Sequence, residues 1–287
     1  MGLRRRRIVT PYLLLLPGLA WLVVFFLLPA LNQLYVSLQT GNFEIGYRFD
    51  WNWSTYSDAI SKYDEQFVRS LRYAGAATLL TFVISFPLAY FIAFKAGRFK
   101  NLMLLLIILP FFTSYLMRTV AWQTILADHS FVAERLRDVG LLGEDGRLLA
   151  TTKAVIAGIT YNFLPFMALP LYVALEKIDR RLIEAATDLY ASRWQAFWRV
   201  TMPLALPGIF AGTLLTFIPA VGDFINAQIL GTSRQYMIGN VIQSKFLVVT
   251  DYPAAAALSF LLMAALLLAV FAYARALGAR NLEEAVV

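Results

Sequence analysis

Cysteine is absent from this 287-residue chain, and histidine occurs only once, at His129. Without thiols the chain can form neither a disulfide framework nor a thiolate metal site. A single imidazole also argues against a zinc site or a Cys/His nucleophile. We therefore expect no metal, no cofactor and no catalytic residue in this chain.

Charged residues are scarce as well, at 15% of the chain, whereas apolar residues make up 60%. A soluble domain averages nearer a quarter charged residues, because its surface faces water. Long stretches of this chain have too few polar side chains for such a surface, so lipid is the expected outer solvent. The net charge of +7 could indicate nucleic acid, but excess Lys and Arg also marks the cytoplasmic loops of membrane proteins.

Six apolar stretches could each cross a hydrocarbon core of about 30 Å, which needs roughly 20 helical residues. They lie near residues 11–38, 68–94, 101–127, 153–175, 204–230 and 253–276. The basic run at residues 4–7 resembles the start of a secretory signal, but the following apolar stretch is too long for one. The sequence predicts an all-α membrane protein of six transmembrane helices, with residues 1–287 as one domain.

The distribution of charge predicts the orientation. Residues 1–10, 95–100, 176–203 and 277–287, together with Arg275, hold 14 Lys/Arg and 6 Asp/Glu. The alternating segments 39–67, 128–152 and 231–252 hold 7 Lys/Arg and 11 Asp/Glu. The excess of basic residues places the first group, including both termini, in the cytoplasm. The charge is thus explained by topology, and nucleic acid is not an expected partner.

The outer segments carry two further features. The first has Trp51, Trp53, Tyr56 and Tyr63, whose amphipathic rings suit an interfacial belt or, as the alternative, a docking surface. In the second, residues 131–137 have the pattern of a short amphipathic helix at the outer surface.

Asp223 and Arg118 stand out among the charged residues of the predicted spans. Asp223 lies deep in the fifth stretch, where a carboxylate is costly unless it is paired or faces water. It is either a functional group or the partner of Arg118 in the third stretch, and the two roles do not exclude each other. Gly208 and Gly212 form a Gly-x-x-x-Gly pair, which we interpret as helix packing.

The longest predicted cytoplasmic loop, residues 176–203, has apolar residues at helical spacing on both sides of Tyr190. It predicts two short amphipathic helices along the membrane face. The loop also carries a motif. Glu184, Ala185 and Ala186 are followed by Asp188, then by a turn at Tyr190 and, after nine intervening residues, by Val200-Thr201-Met202-Pro203.

This spacing resembles the coupling loop of bacterial ABC importer permeases, which docks into a cleft on the ATPase subunit. The small Ala185 and Ala186 would permit close approach, and Glu184 would face a basic partner. The resemblance departs at the turn, where the family usually has Gly and this chain has Tyr190. Gly takes positive φ readily and Tyr does so at a cost, so a different turn shape stays open here.

The resemblance covers nearly the whole chain and is greatest to the spermidine/putrescine permease branch. The stretches that carry it are 12–18 (YLLLLPG), 109–119 (LPFFTSYLMRT), Ala121-Trp122, 161–167 (YNFLPFM) and 237–240 (MIGN). It implies the architecture of a type I importer permease in a bacterial inner membrane. It also implies a second permease subunit, a pair of ATP-binding subunits and an extracellular solute-binding protein as partners, besides membrane lipid.

The implied function is one half of a translocation pore for polyamines. No Gly is followed directly by Lys, so the chain lacks the loop that cradles ATP phosphates, and the energy would enter through the partner ATPase. A polycation needs carboxylates and aromatic faces along its path. The candidates for that path are Asp223, Tyr115, Trp122, Tyr161, Phe163 and Phe166, although each aromatic ring could instead simply fill the bundle.

Three alternatives remain. The first is a permease of the same type for another small solute, such as a sugar, an amine or an iron complex. The second is an ion-coupled secondary transporter, which would show inverted repeats that this sequence lacks. The third is a membrane enzyme, for which the sequence offers no metal cluster, nucleophile–base pair or Gly-rich loop.

Overall fold

The computed structural model of the protein describes residues 14–143 and 146–276. The predicted cytoplasmic segments 1–10 and 277–287 lie outside the described residues. The described chain is mainly helical, with one small antiparallel hairpin of strands β1 (Gln39–Asn42) and β2 (Gly46–Phe49). The helices in chain order are α1 (Leu14–Ser37), α2 (Ser54–Phe94), α3 (Gly97–Phe112), α4 (Tyr115–Ile125), α5 (Phe131–Asp138), α6 (Thr152–Glu176), α7 (Arg180–Asp188), α8 (Arg193–Val221), α9 (Ile225–Leu230), α10 (Ile238–Leu247) and α11 (Tyr252–Ala276).

Five of these helices are long and apolar enough to cross a membrane, namely α1, α2, α6, α8 and α11. The pair α3 and α4 would provide a sixth span, but the two helices are bent by 96°. The predicted set of six spans is therefore confirmed, with two differences of shape. The third stretch is a broken helix rather than a continuous one, and the fifth helix ends at Val221 instead of reaching residue 230.

The break in the third span has a local cause. Pro110 removes a backbone donor near the end of α3. Thr113 and Ser114 then adopt extended backbone angles, and the Ser114 side chain accepts a hydrogen bond from the Met117 backbone N–H at 3.2 Å. Ser114 is thus the N-cap of a new helix, which starts in a different direction.

Helix α8 combines the end of the predicted coupling loop with the fifth span. It contains a wide π turn at Phe197–Thr201, in which the Met202 N–H reaches back to the Phe197 carbonyl. Pro203 follows immediately. Because Pro203 has no N–H and its ring crowds the preceding turn, a widened turn just before it keeps the helix continuous.

The chain divides into two compact units. The first unit comprises Met1–Tyr63 and Ile242–Met263, and the second comprises Asp64–Val241 and Ala264–Val287. Helix α2 crosses the boundary at Tyr63, where the backbone angles (φ −124°, ψ 18°) kink it. The single-domain organisation of the chain stays a prediction.

The first unit contains polar contacts in the hairpin turn and near the end of α10. The Asn42 side chain accepts hydrogen bonds from the backbone N–H groups of Glu44 and Ile45, which closes the turn between β1 and β2. Farther along the same unit, Lys245 and Asp251 form an ion pair of 2.7 Å. The sequence pattern of this segment did not predict the hairpin.

The second unit is built around the contact of α6 with α8. Met167, Leu171 and Leu175 of α6 are fully buried, since the two helix backbones come close together. Gly208 and Gly212 of α8 permit this approach. A Cβ atom at Gly208 would lie 2.7 Å from the Pro170 carbonyl oxygen, and one at Gly212 would lie 2.8 Å from the Met167 sulfur. The pair serves helix packing, as predicted.

The loop before α6 contains a surface ion pair. Arg147 donates two hydrogen bonds to one carboxylate oxygen of Asp128, at 2.9 and 2.7 Å. The hydrogen bonds from Arg147 hold the pKa of Asp128 below its usual range. Helix α5 lies in the same loop, so the predicted short helix at residues 131–137 is present.

Candidate functional site

Asp223 lies between α8 and α9, and only 7% of it is exposed. One carboxylate oxygen accepts hydrogen bonds from the backbone N–H groups of Ile225 (2.9 Å) and Asn226 (3.2 Å), which caps α9. The other accepts from the Tyr115 hydroxyl (2.7 Å) and from the Asn226 side-chain amide (2.5 Å). All four donors are uncharged, so the two carboxylate oxygens are hydrogen-bonded by the protein without a cation.

The polar contacts extend from Asp223 into α4 and α6. The Asn162 amide donates to the Thr119 hydroxyl and to the Asn226 side-chain oxygen, both at 3.2 Å. Thr119, Asn162 and Asn226 are essentially unexposed. Together with Asp223 and Tyr115 they form what we call the Asp223 cluster. The Asn162 side-chain oxygen is buried there without a hydrogen-bond partner among the described residues.

The predicted ion pair between Asp223 and Arg118 is not formed. Arg118 takes part in none of the ion pairs found within residues 14–143 and 146–276. Its guanidinium carbon lies 4.7 Å from the ring centre of Phe111 and 5.6 Å from that of Tyr115. Because Arg118 and Tyr115 are three residues apart on α4, they share a helix face, but their polar groups have different surroundings.

The aromatic candidates fall into two groups. Tyr115, Phe163 and Phe166 form a chain of rings that continues to Phe111, with successive centroids 6.1, 5.9 and 5.1 Å apart. This chain starts at the Asp223 carboxylate. Trp122 and Tyr161 form a separate pair with centroids 5.5 Å apart. Of the five predicted rings, Tyr115 thus contacts Asp223 directly, and Phe163 and Phe166 are linked to it through ring contacts. The other two rings lie farther along α4 and α6.

A cavity of about 940 Å³ lies among α3, α6, α7 and α8. Phe111 and Phe166 line it on the side of the aromatic chain. Lys177 and Leu182 line it on the side of α7, and Gly208 contributes to its wall. The cavity is mainly apolar, so it offers space beside the aromatic chain without further fixed charges deep within the spans.

The predicted coupling loop forms a helical hairpin, residues 180–201, which we call the coupling hairpin. Its first helix, α7, ends in a Schellman arrangement. The Ala191 N–H donates to the Ala186 carbonyl, and the Tyr190 N–H donates to the Thr187 carbonyl, both at 3.0 Å. Tyr190 occupies the left-handed position with φ 63°. The turn therefore has the left-handed backbone that a glycine would adopt. The alternative of a differently shaped turn, which the Tyr in place of Gly suggested, does not occur.

The second arm of the coupling hairpin starts at a capping box. The Ser192 hydroxyl accepts from the Gln195 N–H at 3.2 Å, and the Gln195 side chain accepts from the Ser192 N–H at 2.9 Å. This reciprocal pair makes Ser192, two residues after Tyr190, the N-cap and fixes the start of α8 at Arg193. The two short helices expected on either side of Tyr190 are both present.

The outer face of the coupling hairpin is unusually apolar for an exposed surface. Tyr190 is 99% exposed, Leu189 is 81% exposed and Trp194 is 69% exposed. The other predicted coupling residues are also accessible; Glu184, Ala185, Asp188 and Pro203 are exposed and Ala186 is half-buried. Exposed apolar side chains in a cluster typically mark a protein interface.

Sequence reasoning missed three members of the Asp223 cluster, namely Thr119, Asn162 and Asn226. A signal for them exists. Asn162 and Asn226 are amides inside apolar stretches, where an unpaired polar group is costly. Asn226 follows Asp223 by three residues, which is the spacing of a cap and the helix residue that it bonds.

The fold resembles that of solved importers. The crystal structure of a bacterial alginate ABC transporter, in complex with an alginate pentasaccharide-bound periplasmic protein, contains a chain that matches with a TM-score of 0.65 and 20% identity. The match covers 96% of this chain and 96% of that one. At this identity the likeness concerns the fold alone. Together with the apolar helices, it defines a membrane-spanning fold of the type I ABC importer architecture.

The sequence comparisons are more specific. The profile of the family described as "Binding-protein-dependent transport system inner membrane component" matches residues 2–282. The spermidine/putrescine transport system permease protein PotB of Haemophilus influenzae is 39% identical over 258 residues, covering 90% of each protein. PotB of Escherichia coli is 37% identical over 257 residues, covering 89% of this chain and 94% of that protein. The chain belongs to the binding-protein-dependent transport family and is one of its permease components.

Proposed function

We propose that this chain forms one half of the translocation pore of an ATP-driven importer for polyamines of the spermidine and putrescine type. The observation that carries the proposal is the identity of 37–39% over about nine tenths of the chain to permeases named for these substrates. In this proposal the other half of the pore is a second permease subunit. An extracellular binding protein delivers the substrate, and a pair of ATP-binding subunits supplies the energy.

The Asp223 cluster provides chemistry that suits a polycation. Its carboxyl group is buried and bonded only to uncharged donors, so a substrate ammonium would supply the countercharge to its ionised form. We propose that the ammonium replaces the Tyr115 hydroxyl at the Asp223 oxygen. The rings of Tyr115, Phe163 and Phe166 then offer successive cation–π faces, and Phe166 also lines the cavity of about 940 Å³.

Replacing Asp223 in two ways separates its charge from its capping role. Asn is as good an N-cap as Asp, so Asp223→Asn removes the charge while α9 stays capped, whereas Asp223→Ala removes both. We expect Asp223→Asn to lower spermidine uptake about tenfold or more, since an ion pair in a dry site is lost, with nearly unchanged thermal stability. Asp223→Ala should in addition cost about 1 kcal/mol of stability through the lost cap.

The measurement is labelled-spermidine uptake into proteoliposomes that contain the complete complex, with melting followed in detergent. Asp138→Asn is the matched control, because Asp138 is an exposed carboxylate on α5. Unchanged uptake kinetics in Asp223→Asn would remove this residue from the substrate path and leave it as a cap only.

The coupling hairpin is proposed to dock on the ATP-binding subunit. Its support is the exposed apolar face at Leu189, Tyr190 and Trp194 beside the accessible carboxylate of Glu184. In the proposed cycle, closure of the ATPase pair on ATP draws the two permeases' hairpins together and opens the pore outward. Hydrolysis and product release return it to the inward-open state.

Tyr190→Asn tests this docking without disturbing the turn, because Asn tolerates the left-handed backbone that Tyr190 adopts. We expect the variant to keep its stability and to lose affinity for the ATP-binding subunit by about tenfold, as for an aromatic anchor at an interface. Co-purification with the ATPase, titrated by concentration, measures the change. Phe131→Asn on α5 is the control, since Phe131 is a similarly exposed ring on the opposite predicted side. Equal ATPase affinity in Tyr190→Asn and the parent chain would contradict the assigned contact.

The proposed orientation places both termini and the coupling hairpin in the cytoplasm of a bacterial cell with an inner membrane. The excess of basic residues in these segments supports it.

A second candidate is a permease of the same fold for another solute. The structural match to an alginate transporter favours keeping it, because a type I permease fold serves an acidic polysaccharide there. Competition of uptake by putrescine and spermidine distinguishes the two. Uptake of the natural solute that neither polyamine reduces would favour the second candidate.

A further inference from the structure

Arg118 is a cation within the membrane-spanning part of the chain, and only 8% of it is exposed. Its Nε is buried without a hydrogen-bond partner, and no carboxylate in the described parts of the chain pairs with the guanidinium. The rings of Phe111 and Tyr115 hold the guanidinium between α3 and α4. Cation–π contacts offset only part of the cost of burying a charge, so an anion from outside this chain would complete the pairing of Arg118.

Arg118 lines a crevice of about 300 Å³ among α2, α3, α4 and α6. The walls are nearly all apolar; Met103, Ile107 and Pro110 form a stripe along α3, and Leu88 and Leu164 lie opposite. Leu106 also lines the crevice and is itself 57% exposed, so the crevice opens at the outer face of the helices. The crevice is therefore mainly apolar, with the positive charge of Arg118 in its lining.

We propose that this crevice is a binding site for one anionic phospholipid. The phosphate accepts hydrogen bonds from the Arg118 guanidinium, and an acyl chain lies along the α3 stripe. The crevice of about 300 Å³ offers apolar walls to such an acyl segment. A free inorganic anion would satisfy Arg118 but would leave the apolar walls without a partner.

The occupant has its head toward α4 and its tail toward the start of α3. Leu102, Leu105 and Leu109, on the same helix, are each more than half exposed, which is the surface that lipid tails would cover. The lining of the crevice contains none of the five residues of the Asp223 cluster, although the Arg118 guanidinium also contacts the ring of Tyr115, which is one of them. It concerns lipid recognition and does not depend on which solute the permease carries.

The experiment uses the full-length chain, delipidated in mild detergent and then exposed to phosphatidylglycerol or phosphatidylcholine. Lipid retained per chain is counted by native mass spectrometry, and the melting temperature is recorded with each lipid. We expect the parent chain to retain phosphatidylglycerol at about tenfold lower lipid concentration than phosphatidylcholine, since only the former brings a net negative charge.

Three variants assign the effect. Arg118→Met keeps the side-chain length and removes the charge, and it should abolish the preference for phosphatidylglycerol. Leu106→Trp keeps Arg118 and fills the mouth of the crevice, and it should weaken retention of the lipid by a similar factor. Arg135→Met is the control, because Arg135 is an exposed arginine on α5, and it should change nothing.

The following outcomes would overturn the proposal. Equal retention of both lipids by the parent chain excludes a site for an anionic headgroup, and this comparison holds even where Arg118→Met fails to fold. If inorganic phosphate raises the melting temperature equally in the parent chain and in Leu106→Trp, the occupant at Arg118 is a free anion instead of a lipid. If Arg118→Met disrupts pairing with the second permease and leaves lipid retention unchanged, the anion that pairs with Arg118 belongs to that subunit.

Discussion

The Asp223 carboxylate is recognisable in the sequence because a charge inside an apolar stretch must be paired or solvated. The structure adds how this is achieved. Asp223 follows the end of α8, and two of its four hydrogen bonds come from backbone N–H groups at the start of α9. A helix end thus takes the place of the arginine that the sequence suggests. Charge alone favours Arg118 as the partner, and only the positions of the backbone donors exclude it.

Gly158 shows how closely the helices meet at the Asp223 cluster. A Cβ atom there would lie 2.6 Å from the Asn226 side-chain oxygen, whereas one at Gly75 would meet nothing within 4 Å. We expect Gly158→Ala to lower the free energy of unfolding by about 1–3 kcal/mol, because it overpacks a buried contact.

Gly75→Ala is the matched control for Gly158→Ala, since both glycines lie inside long helices. It should raise stability by up to about 1 kcal/mol, because Ala is the better helix former. Thermal unfolding in detergent measures both variants. Equal shifts of the same sign would show that Gly158 does not border a tightly packed site.

At the scale of the element, apolar length finds the spans but not their breaks. The third predicted stretch has enough apolar residues for one straight helix, yet it bends by 96° after Phe112. The signals for the bend, Pro110 and the N-cap Ser114, are short-range and common in ordinary helices that do not break. The bend brings Tyr115 and Thr119 to the Asp223 cluster, so the break is part of the site.

The π turn before Pro203 sets the angular relation between the coupling hairpin and the fifth span. Pro203→Ala restores a backbone N–H, which allows the π turn to change to regular α-helical hydrogen bonds. Loss of the extra residue would rotate one part of α8 against the other by about 100°. Because the chain lacks cysteine, spin labels can be placed at cysteines introduced for Trp194 and Leu215 alone.

We expect the distance distribution between these labels to shift in Pro203→Ala. Pro207→Ala is the control, since Pro207 lies in the same helix but no π turn immediately precedes it. An unchanged distribution in Pro203→Ala would show that the π turn does not depend on the proline.

At the scale of the whole molecule, charge distribution predicts the sidedness on which the mechanism depends. The coupling hairpin must face the cytosol for an ATP-binding subunit to reach it, and the loop containing α5 must face outward. Both surfaces offer exposed side chains, Tyr190 on the hairpin and Phe131 on α5.

We expect a membrane-impermeant maleimide added to intact spheroplasts to label Phe131→Cys and not Tyr190→Cys. Permeabilised cells should label both, since each side chain is exposed and the parent chain has no cysteine to interfere. Labelling of Tyr190→Cys in sealed cells would reverse the orientation and with it the proposed coupling.

The sequence by itself determines that this chain crosses a membrane six times and that residues 176–203 resemble a coupling loop. Hydrophobic length, charge bias and a spaced motif are local properties, so they can be read without the fold. Only the tertiary structure decided which polar groups meet. The Asp223 cluster joins α4, α6 and α9, and Arg118 faces an apolar crevice. Both arise because helix breaks and helix crossings bring into contact residues that are about 40 to 110 positions apart in the sequence. The left-handed backbone of Tyr190 could not be predicted from the sequence either. A residue that disfavours this conformation can be held in it by the hydrogen bonds of the surrounding turn.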